Sequence, residues 1–226
     1  MSLLLKSFVW TVVSFLMIAL LLFLPAGTVL WPAGWILWIL LLGFTVVNFG
    51  LLFKSNSGLL QERLSLSQPN QKTSDKLLTS VNGLLTLAWF ILMPLDAVRF
   101  HWSHVPLFLQ IVGAIVLVGF MPLSILTFRE NTFATTMVRV QEERGQTVIS
   151  TGPYHYVRHP LYTSALLFFL GTPLLLGSWN GLLFVPIVIA GLVGRTLLEE
   201  RVLRKELPGY DAYMAQVKYR FIPYVW

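Results

Sequence analysis

The sequence of 226 residues contains no cysteine. That absence excludes a thiolate nucleophile, an iron–sulfur cluster, a cysteine-ligated zinc site and a disulfide-stabilised secreted scaffold. Charged residues are also scarce, at 12% of the chain, where a soluble domain has about 25%. Because hydrophobic residues reach 56%, too few polar residues remain to cover a water-soluble globule. The composition excludes a disordered chain and a coiled coil, and it predicts a membrane protein rather than a soluble enzyme.

Long apolar stretches predict the fold class. A helix needs roughly 20 mostly apolar residues to cross the hydrocarbon core of a bilayer. We therefore predict an all-α integral membrane protein with about six transmembrane helices, over residues 8–24, 33–53, 77–98, 105–128, 161–176 and 182–198. The last two are short, and Pro173 and Pro186 are expected to kink them. The turn at 177–181 predicts that they form a C-terminal helical hairpin.

Basic residues predict the orientation of these helices. With six spans, 14 of the 16 Lys and Arg residues lie on one side, Arg99 lies on the other, and Arg195 lies within the last span. Since basic loops stay on the cytoplasmic side, both termini are predicted to be cytoplasmic, and the cell inner membrane is the expected location. The net charge of +6 then reflects orientation and attraction to anionic membrane lipid, so no nucleic-acid partner is expected. Nothing in the sequence indicates the oligomeric state.

The remaining polar residues concentrate where the fifth span begins. Residues 154–162 contain three Tyr, two His and one Arg, after a Gly-Pro turn at 152–153. Such a cluster is typical of an interfacial anchor, and it is also typical of a binding site. His155 and His159 are four residues apart, but the following Pro160 disfavours a helix between them and no third ligand is evident, so no metal site is expected.

Arg195 and Glu199 are the second polar feature, and they share one face of the last helix at i and i+4. An ionisable residue inside a span is costly and marks a functional site by default. The alternative is that Arg195 extends to the interface while Glu199 and Glu200 stay in water, which suits Glu200 better than the pair. Small residues at 190, 191 and 194 predict the close approach of a neighbouring helix.

These two features together resemble a known family. Gly-Pro-Tyr-x-x-x-Arg-His-Pro-x-Tyr at 152–162, followed by Arg-x-x-x-Glu-Glu at 195–200, is similar to the isoprenylcysteine carboxyl methyltransferases and the wider phospholipid methyltransferase group. Leu-Pro-Gly-Tyr-x-x-Tyr at 207–213 and Tyr-Arg-Phe-Ile-Pro at 219–223 resemble bacterial members. The likeness predicts a methyltransferase core over residues 105–226, whereas the three N-terminal spans, within 1–104, carry no motif.

The resemblance implies S-adenosylmethionine-dependent methyl transfer, with the cofactor pocket on the cytoplasmic side. Glu199 would bind the cofactor's ammonium, and Arg195 resembles the family's substrate-side arginine. Asn131 and Phe133 match a bacterial subgroup pattern, which makes Asn131 a second catalytic candidate; the match of Gln141 requires a two-residue gap. The implied cofactor-binding residues are Gln141, Gln146, Thr147, Val148, Ile149, Tyr154, His159, Pro160, Leu161, Tyr162 and Glu199.

The acceptor and two other functions stay open. The expected partner is a lipophilic or small-molecule methyl acceptor, and its reacting group is a carboxylate, an amine or a thiol. A membrane reductase with a nicotinamide cofactor is one alternative, because sterol reductases share a similar C-terminal architecture. A non-enzymatic transporter or scaffold is the other, although a transporter predicts ionisable residues at mid-membrane, whereas here they cluster at one interface.

The predicted orientation can be tested with reporters fused after Trp226. We expect a reporter that matures only in the cytoplasm to be active there, and an alkaline phosphatase fusion at the same position to be inactive. Fusions after Trp102, which follows the third predicted span, are the matched control and should show the opposite pattern. Phosphatase activity after Trp226 would contradict the six-span orientation.

Overall fold

A computed structural model of the protein describes residues 3–55, 73–133 and 144–226. In these ranges the regular structure is helical, and they contain no β-strand. Helices are the expected result of long apolar runs, since a chain in lipid must satisfy its backbone N–H and C=O groups within its own segment. The helices are α1 (Leu3–Ala26), α2 (Pro32–Ser55), α3 (Thr73–Pro94), α4 (Leu107–Glu130), α5 (Pro160–Leu176), α6 (Trp179–Leu183), α7 (Val185–Glu206) and α8 (Tyr210–Gln216), with a π turn at Leu95–Arg99 and a 3₁₀ turn at Gly152–His155.

Five helices in the described ranges are long and apolar enough to cross a membrane. α5 is also apolar, but with 17 residues it is shorter. The predicted fold class, an all-α integral membrane protein, is therefore confirmed, while the sixth crossing stays a prediction. Pro173 and Pro186 lie near helix ends, in the last turn of α5 and the first turn of α7. At the start of a helix the missing N–H of a proline interrupts no helical hydrogen bond, so no kink at Pro186 is required.

The chain divides into two compact units. The first unit comprises Met1–Ile115 with Gly171–Phe184, and the second comprises Val116–Leu170 with Val185–Trp226. The functional division after residue 104 concerns motifs rather than packing, and it stays a proposal. In the first unit, aromatic side chains join α1 to α2: the rings of Phe15 and Trp38 meet edge to face at 5.6 Å, and Trp38 Nε1 donates to the Phe15 carbonyl at 3.0 Å.

A buried carboxylate, that of Asp96, organises one end of the first unit. Asp96 is fully buried in the π turn, and its Oδ2 accepts hydrogen bonds from Ser103 Oγ at 2.7 Å and Ser178 Oγ at 2.5 Å. Asn180 Nδ2 donates to Oδ1 at 2.8 Å. Ser178 in turn accepts from the Gly181 N–H at 2.9 Å and caps α6. One carboxylate thus joins the π turn, the loop after it and the start of α6.

Replacing Asp96 with alanine should destabilise the protein. The buried hydroxyls of Ser103 and Ser178 and the half-buried amide of Asn180 would lose their shared acceptor, which costs about 2–4 kcal/mol. For a chain of this size we expect the thermal unfolding midpoint in detergent to fall by about 5–10 °C. Asp211→Ala is the matched control, because its carboxylate is exposed and pairs only at the surface. Equal shifts for the two variants would contradict the role given to Asp96.

Candidate functional site

The segment that begins the 3₁₀ turn packs against the end of α4 in the second unit. Gly152 has φ of +58°, and a Cβ built there would lie 2.6 Å from Glu130 Cγ. Only glycine fits such a close approach in the left-handed region. Thr151 Oγ1 donates to Glu130 Oε2 at 2.5 Å beside this contact. The glycine of the Gly-Pro-Tyr motif therefore allows the turn to reach α4, and this fixes the position of Tyr154.

Tyr154 is held at its hydroxyl and at its backbone. Asn131 Nδ2 donates to the Tyr154 hydroxyl at 2.9 Å, while Asn131 Oδ1 accepts from the Phe133 N–H at 2.9 Å. Tyr213 donates from its hydroxyl to the Tyr154 carbonyl at 2.8 Å. Burial raises the pKa of the Tyr154 phenol above its ordinary value, because an ionised phenolate would be poorly solvated there. Tyr154 is therefore a neutral hydroxyl whose ring is fixed from two sides.

Tyr162 connects the two ionisable residues of the last helix. Arg195 Nε donates to the Tyr162 hydroxyl at 2.8 Å, and that hydroxyl donates to Glu199 Oε2 at 2.6 Å. Arg195, Tyr162 and Glu199 are each half-buried. Helical spacing places Arg195 and Glu199 on one face of α7, and Tyr162 meets that face from the first turn of α5. The sequence-predicted residues of both motifs therefore come together here.

Glu200 lies deeper than Glu199, which corrects the expectation that it would be the more solvated of the two. It is 4% exposed. Arg158 Nε donates to Glu200 Oε1 at 2.8 Å, and His159 Nε2 lies 3.2 Å from the same oxygen. Arg220 Nε donates to Oε2 at 3.0 Å. Glu200 is buried because helical geometry directs it away from Glu199 and toward Arg158 and Arg220, two cations that compensate its charge.

The chain after α8 pairs with the Arg-His-Pro turn. The Arg158 N–H donates to the Tyr219 carbonyl and the His159 N–H donates to the Arg220 carbonyl, each at 2.9 Å. Arg158 Nη1 also donates to the carbonyls of Val217 and Lys218, at 2.8 and 2.9 Å. These bonds engage the backbone N–H and Nη1 of Arg158, whose Nε pairs with Glu200, and the residue is 6% exposed. The motif arginine therefore acts inside the protein rather than as a membrane-surface anchor.

The rest of the sequence-predicted set lies along the same unit. Pro160 is buried in the first turn of α5, and Leu161 beside it is half-buried. Val148 packs against the core formed by Leu207, Tyr210, Tyr213 and Val217. Gln146 and Ile149 are half-buried and Thr147 is exposed, in a segment without regular secondary structure, and Gln141 lies outside the described residues.

One sequence expectation, the close approach of a helix to the small residues of α7, differs from what the structure shows. Ala190, Gly191 and Gly194 are exposed, and apart from the adjacent residues and the backbone of α7 itself, no atom of the described residues comes within 4 Å of a Cβ built at Gly191 or Gly194, so no described helix makes the predicted close approach. Within the described ranges, no three His, Asp or Glu side chains come together as metal ligands.

Sequence reasoning missed Glu200, Arg158 and Arg220 as members of this site. Arg158 was part of the motif but had no assigned role, and Arg220 belonged to a tail motif with no partner in view. Arg158 and Arg220 lie 42 and 20 residues away from Glu200 in the sequence. The sequence offered one indication. The motifs at 152–162 and 219–223 each contain an arginine and the motif at 195–200 contains two glutamates, in a chain with few charged residues.

Comparison with known proteins agrees with the motifs. The family model for phospholipid methyltransferases matches residues 108–208, a range that includes both 152–162 and 195–200. Among curated proteins, no sequence matches significantly. A solved structure of the eukaryotic intramembrane Ras methyltransferase, isoprenylcysteine carboxyl methyltransferase, has a similar fold. The match covers 98% of this chain and 85% of that chain, with a TM-score of 0.55 and 16% sequence identity.

These matches indicate the class of protein. The fold is that of an intramembrane methyltransferase, and the family match supports an integral membrane methyltransferase. Together they support the assignment of the chain to the isoprenylcysteine carboxyl methyltransferase and phospholipid methyltransferase family, as the motifs predicted.

The buried ion pair can be tested against an exposed pair of the same length. Arg158 and Arg204 each donate from Nε to a carboxylate at 2.8 Å, but the Arg204–Asp211 side chains are 58% and 68% exposed while those of Arg158 and Glu200 are 4% and 5% exposed. Arg158→Met removes one partner of a buried pair and should cost about 3–5 kcal/mol. Arg204→Met should change stability by less than about 1 kcal/mol. The thermal unfolding midpoints of the two variants measure this difference, and similar values would refute it.

Proposed function

We propose that the protein is an S-adenosylmethionine-dependent methyltransferase that acts on a lipophilic or small acceptor at the cytoplasmic face of the membrane. The observation that carries this proposal is the hydrogen-bonded series Arg195–Tyr162–Glu199. This series joins a cation and an anion through one aromatic hydroxyl, beside apolar helices. A polar, charged donor molecule and an acceptor that partitions into lipid could both reach such a site.

The chemistry of the side chains fits the cofactor. Glu199 is half-buried and accepts the Tyr162 hydrogen bond at Oε2, and a carboxylate of this kind suits the ammonium of the methionyl part. The rings of Tyr154 and Tyr162 offer aromatic faces, which attract a sulfonium cation. When bound, S-adenosylmethionine supplies an electrophilic methyl group on a positively charged sulfur.

Other residues are assigned to the cofactor by the family resemblance. His159, stacked on Tyr162 at 5.5 Å with nearly parallel rings, would line the site with Pro160 and Leu161. Residues 146–149 would contribute contacts from the segment before the 3₁₀ turn. Gln141 is proposed from the sequence alone.

The protein's part in the reaction is mainly orientation. Because the sulfonium donor is intrinsically reactive, the enzyme needs to align donor and acceptor and to exclude water. Arg195 favours an acceptor that carries negative charge, such as a carboxylate, since a guanidinium binds carboxylates through paired N–H donors. Asn131 would act by fixing the hydroxyl of Tyr154.

The membrane face is proposed from the charge distribution. Basic side chains are enriched on the cytoplasmic side of membrane proteins, and 14 of the 16 Lys and Arg residues would share the side of the site. We therefore place both termini in the cytoplasm and the protein in the cell inner membrane. The polar cofactor would then enter from the compartment that contains it.

Calorimetric titration of the purified protein with S-adenosylhomocysteine tests the proposal without knowledge of the acceptor. We expect saturable binding to the wild type and a loss of at least about tenfold in affinity for Glu199→Gln, which removes a charge-assisted contact worth about 1.5–3 kcal/mol. Glu206→Gln is the matched control, because Glu206 is an exposed glutamate on the same helix, and its affinity should equal that of the wild type.

The same titration separates the alternatives. Binding of NADPH in place of S-adenosylhomocysteine would sink the methyltransferase proposal and favour a reductase. Equal affinity in the wild type and in Glu199→Gln would remove Glu199 from the site.

A further inference from the structure

We propose that the two adjacent glutamates have different tasks, and that Glu200 fastens the tail segment, residues 217–226, so that His159 and Tyr162 are held in position. Glu199 faces the cofactor, whereas Glu200 is a positioning residue that does not contact it. This inference rests on the proposed function for the task of Glu199 and for the use of a cofactor analogue as a probe, whereas the fastening of the tail segment does not depend on it.

The first argument is that Glu200 has no hydrogen-bonding capacity left. A carboxylate has about four lone-pair sites. Oε1 faces Arg158 Nε at 2.8 Å and His159 Nε2 at 3.2 Å, and the carboxylate favours the histidine tautomer that carries hydrogen on Nε2. Oε2 faces both Nε and Nη2 of Arg220, each at 3.0 Å. Protein donors therefore fill the carboxylate, and a ligand's ammonium would have to displace one of them.

The second argument is that the cations around Glu200 come from different parts of the chain. Arg158 precedes α5, Arg220 lies in the tail segment, and Glu200 lies on α7. A buried carboxylate requires compensating charge, so its charge keeps the tail segment against the turn before α5. The guanidinium of Arg220 also stacks on the Trp226 ring at 4.6 Å, which orders the far end of the segment.

Hydrogen bonds connect the tail segment to the Arg-His-Pro turn and to the start of α5. The N–H groups of Arg158 and His159 donate to tail carbonyls, and Thr163 Oγ1 donates to the Phe221 carbonyl at 2.7 Å. The start of α5 is therefore bonded to the tail segment on both sides of Pro160, which itself has no N–H to donate.

Phe221 then connects the tail segment to the cofactor side of the site. Its ring is 4% exposed and meets the rings of His159 and Tyr162 edge to face, at 6.3 and 5.9 Å. The hydroxyl of Tyr162 bonds to both Arg195 and Glu199. A tail segment released from Glu200 would remove the Phe221 contact, and Tyr162 would lose the packing that orients its hydroxyl.

Glu199 differs from Glu200 in each of these respects. It is half-buried rather than buried, and its described hydrogen bond is a single one, from Tyr162 to Oε2. Adjacent positions on a helix point about 100° apart, so the Glu-Glu pair faces two different surroundings. Substitution of each glutamate by glutamine should therefore have different effects on the rest of the molecule.

The test compares Glu200→Gln with Glu199→Gln in two measurements on the purified full chain. The first is residue-resolved amide hydrogen exchange without any ligand, which reports the N–H groups of Arg158 and His159 directly. We expect exchange at these amides to accelerate at least tenfold in Glu200→Gln and to remain as in the wild type in Glu199→Gln. Arg220→Gln changes a side chain that is 24% exposed, and it should accelerate exchange as Glu200→Gln does. It replaces Glu200→Gln in the test if Glu200→Gln fails to fold.

The second measurement is the affinity of the folded variants for S-adenosylhomocysteine. Arg220→Gln should weaken binding about tenfold although no atom of the Glu-Glu pair has changed. Arg220→Lys, which keeps the positive charge beside Oε2, should restore most of the affinity and the slow exchange. A role in stability alone would lower the unfolding midpoint but leave the affinity of the folded protein unchanged.

Two results would overturn the inference. Weakened binding in Glu200→Gln with slow exchange at Arg158 and His159 would make Glu200 a ligand. Fast exchange at these amides with unchanged affinity would mean that the tail segment does not position the site. If the wild type binds no S-adenosylhomocysteine, the proposed function fails, and slow exchange in Glu200→Gln would still refute the fastening of the tail.

Discussion

The buried charge of Glu200 is the constraint on which the second unit depends. A carboxylate removed from water is costly unless cations and hydrogen-bond donors replace its hydration. Arg158, His159 and Arg220 provide that replacement. Because these residues lie in separate segments of the chain, the requirement for compensation draws the segments together. The same requirement explains why Arg158 is buried, with Nη1 satisfied by the carbonyls of Val217 and Lys218.

The proposed site lies beside this charge. Tyr162 is packed by Phe221 and His159, and its hydroxyl meets Arg195 and Glu199. A methyl donor of the sulfonium type needs aligned partners and little water rather than a covalent nucleophile. The absence of cysteine is consistent with such an enzyme. Under the proposed function, the aromatic rings and the Glu199 carboxylate would meet these needs in a small chain with few charged residues.

The first unit is organised by the same physical rule with different partners. Asp96 is also fully buried, but hydroxyls and an amide surround it, from Ser103, Ser178 and Asn180. Neutral donors can satisfy the lone pairs of a carboxylate without a cation. In both units the few buried charges determine which segments meet, since apolar packing alone is non-directional.

Several features could be predicted from the sequence because they depend on local composition. Apolar runs of sufficient length predicted where the long helices lie, since a spanning helix satisfies its own backbone, although α7 continues to Glu206, beyond the predicted end at 198. The two motifs predicted the family. Helical periodicity also placed Arg195 and Glu199 on one face, and the structure connects them through Tyr162.

The sequence by itself determined the membrane-spanning class, the helix positions and the residues that deserved a functional hypothesis. Only the tertiary structure decided which of two adjacent glutamates is enclosed by cations and which is only half-buried. The physical reason is that Glu200 meets partners 42 and 20 residues distant along the chain, and no local pattern of residues specifies which distant segments pack together.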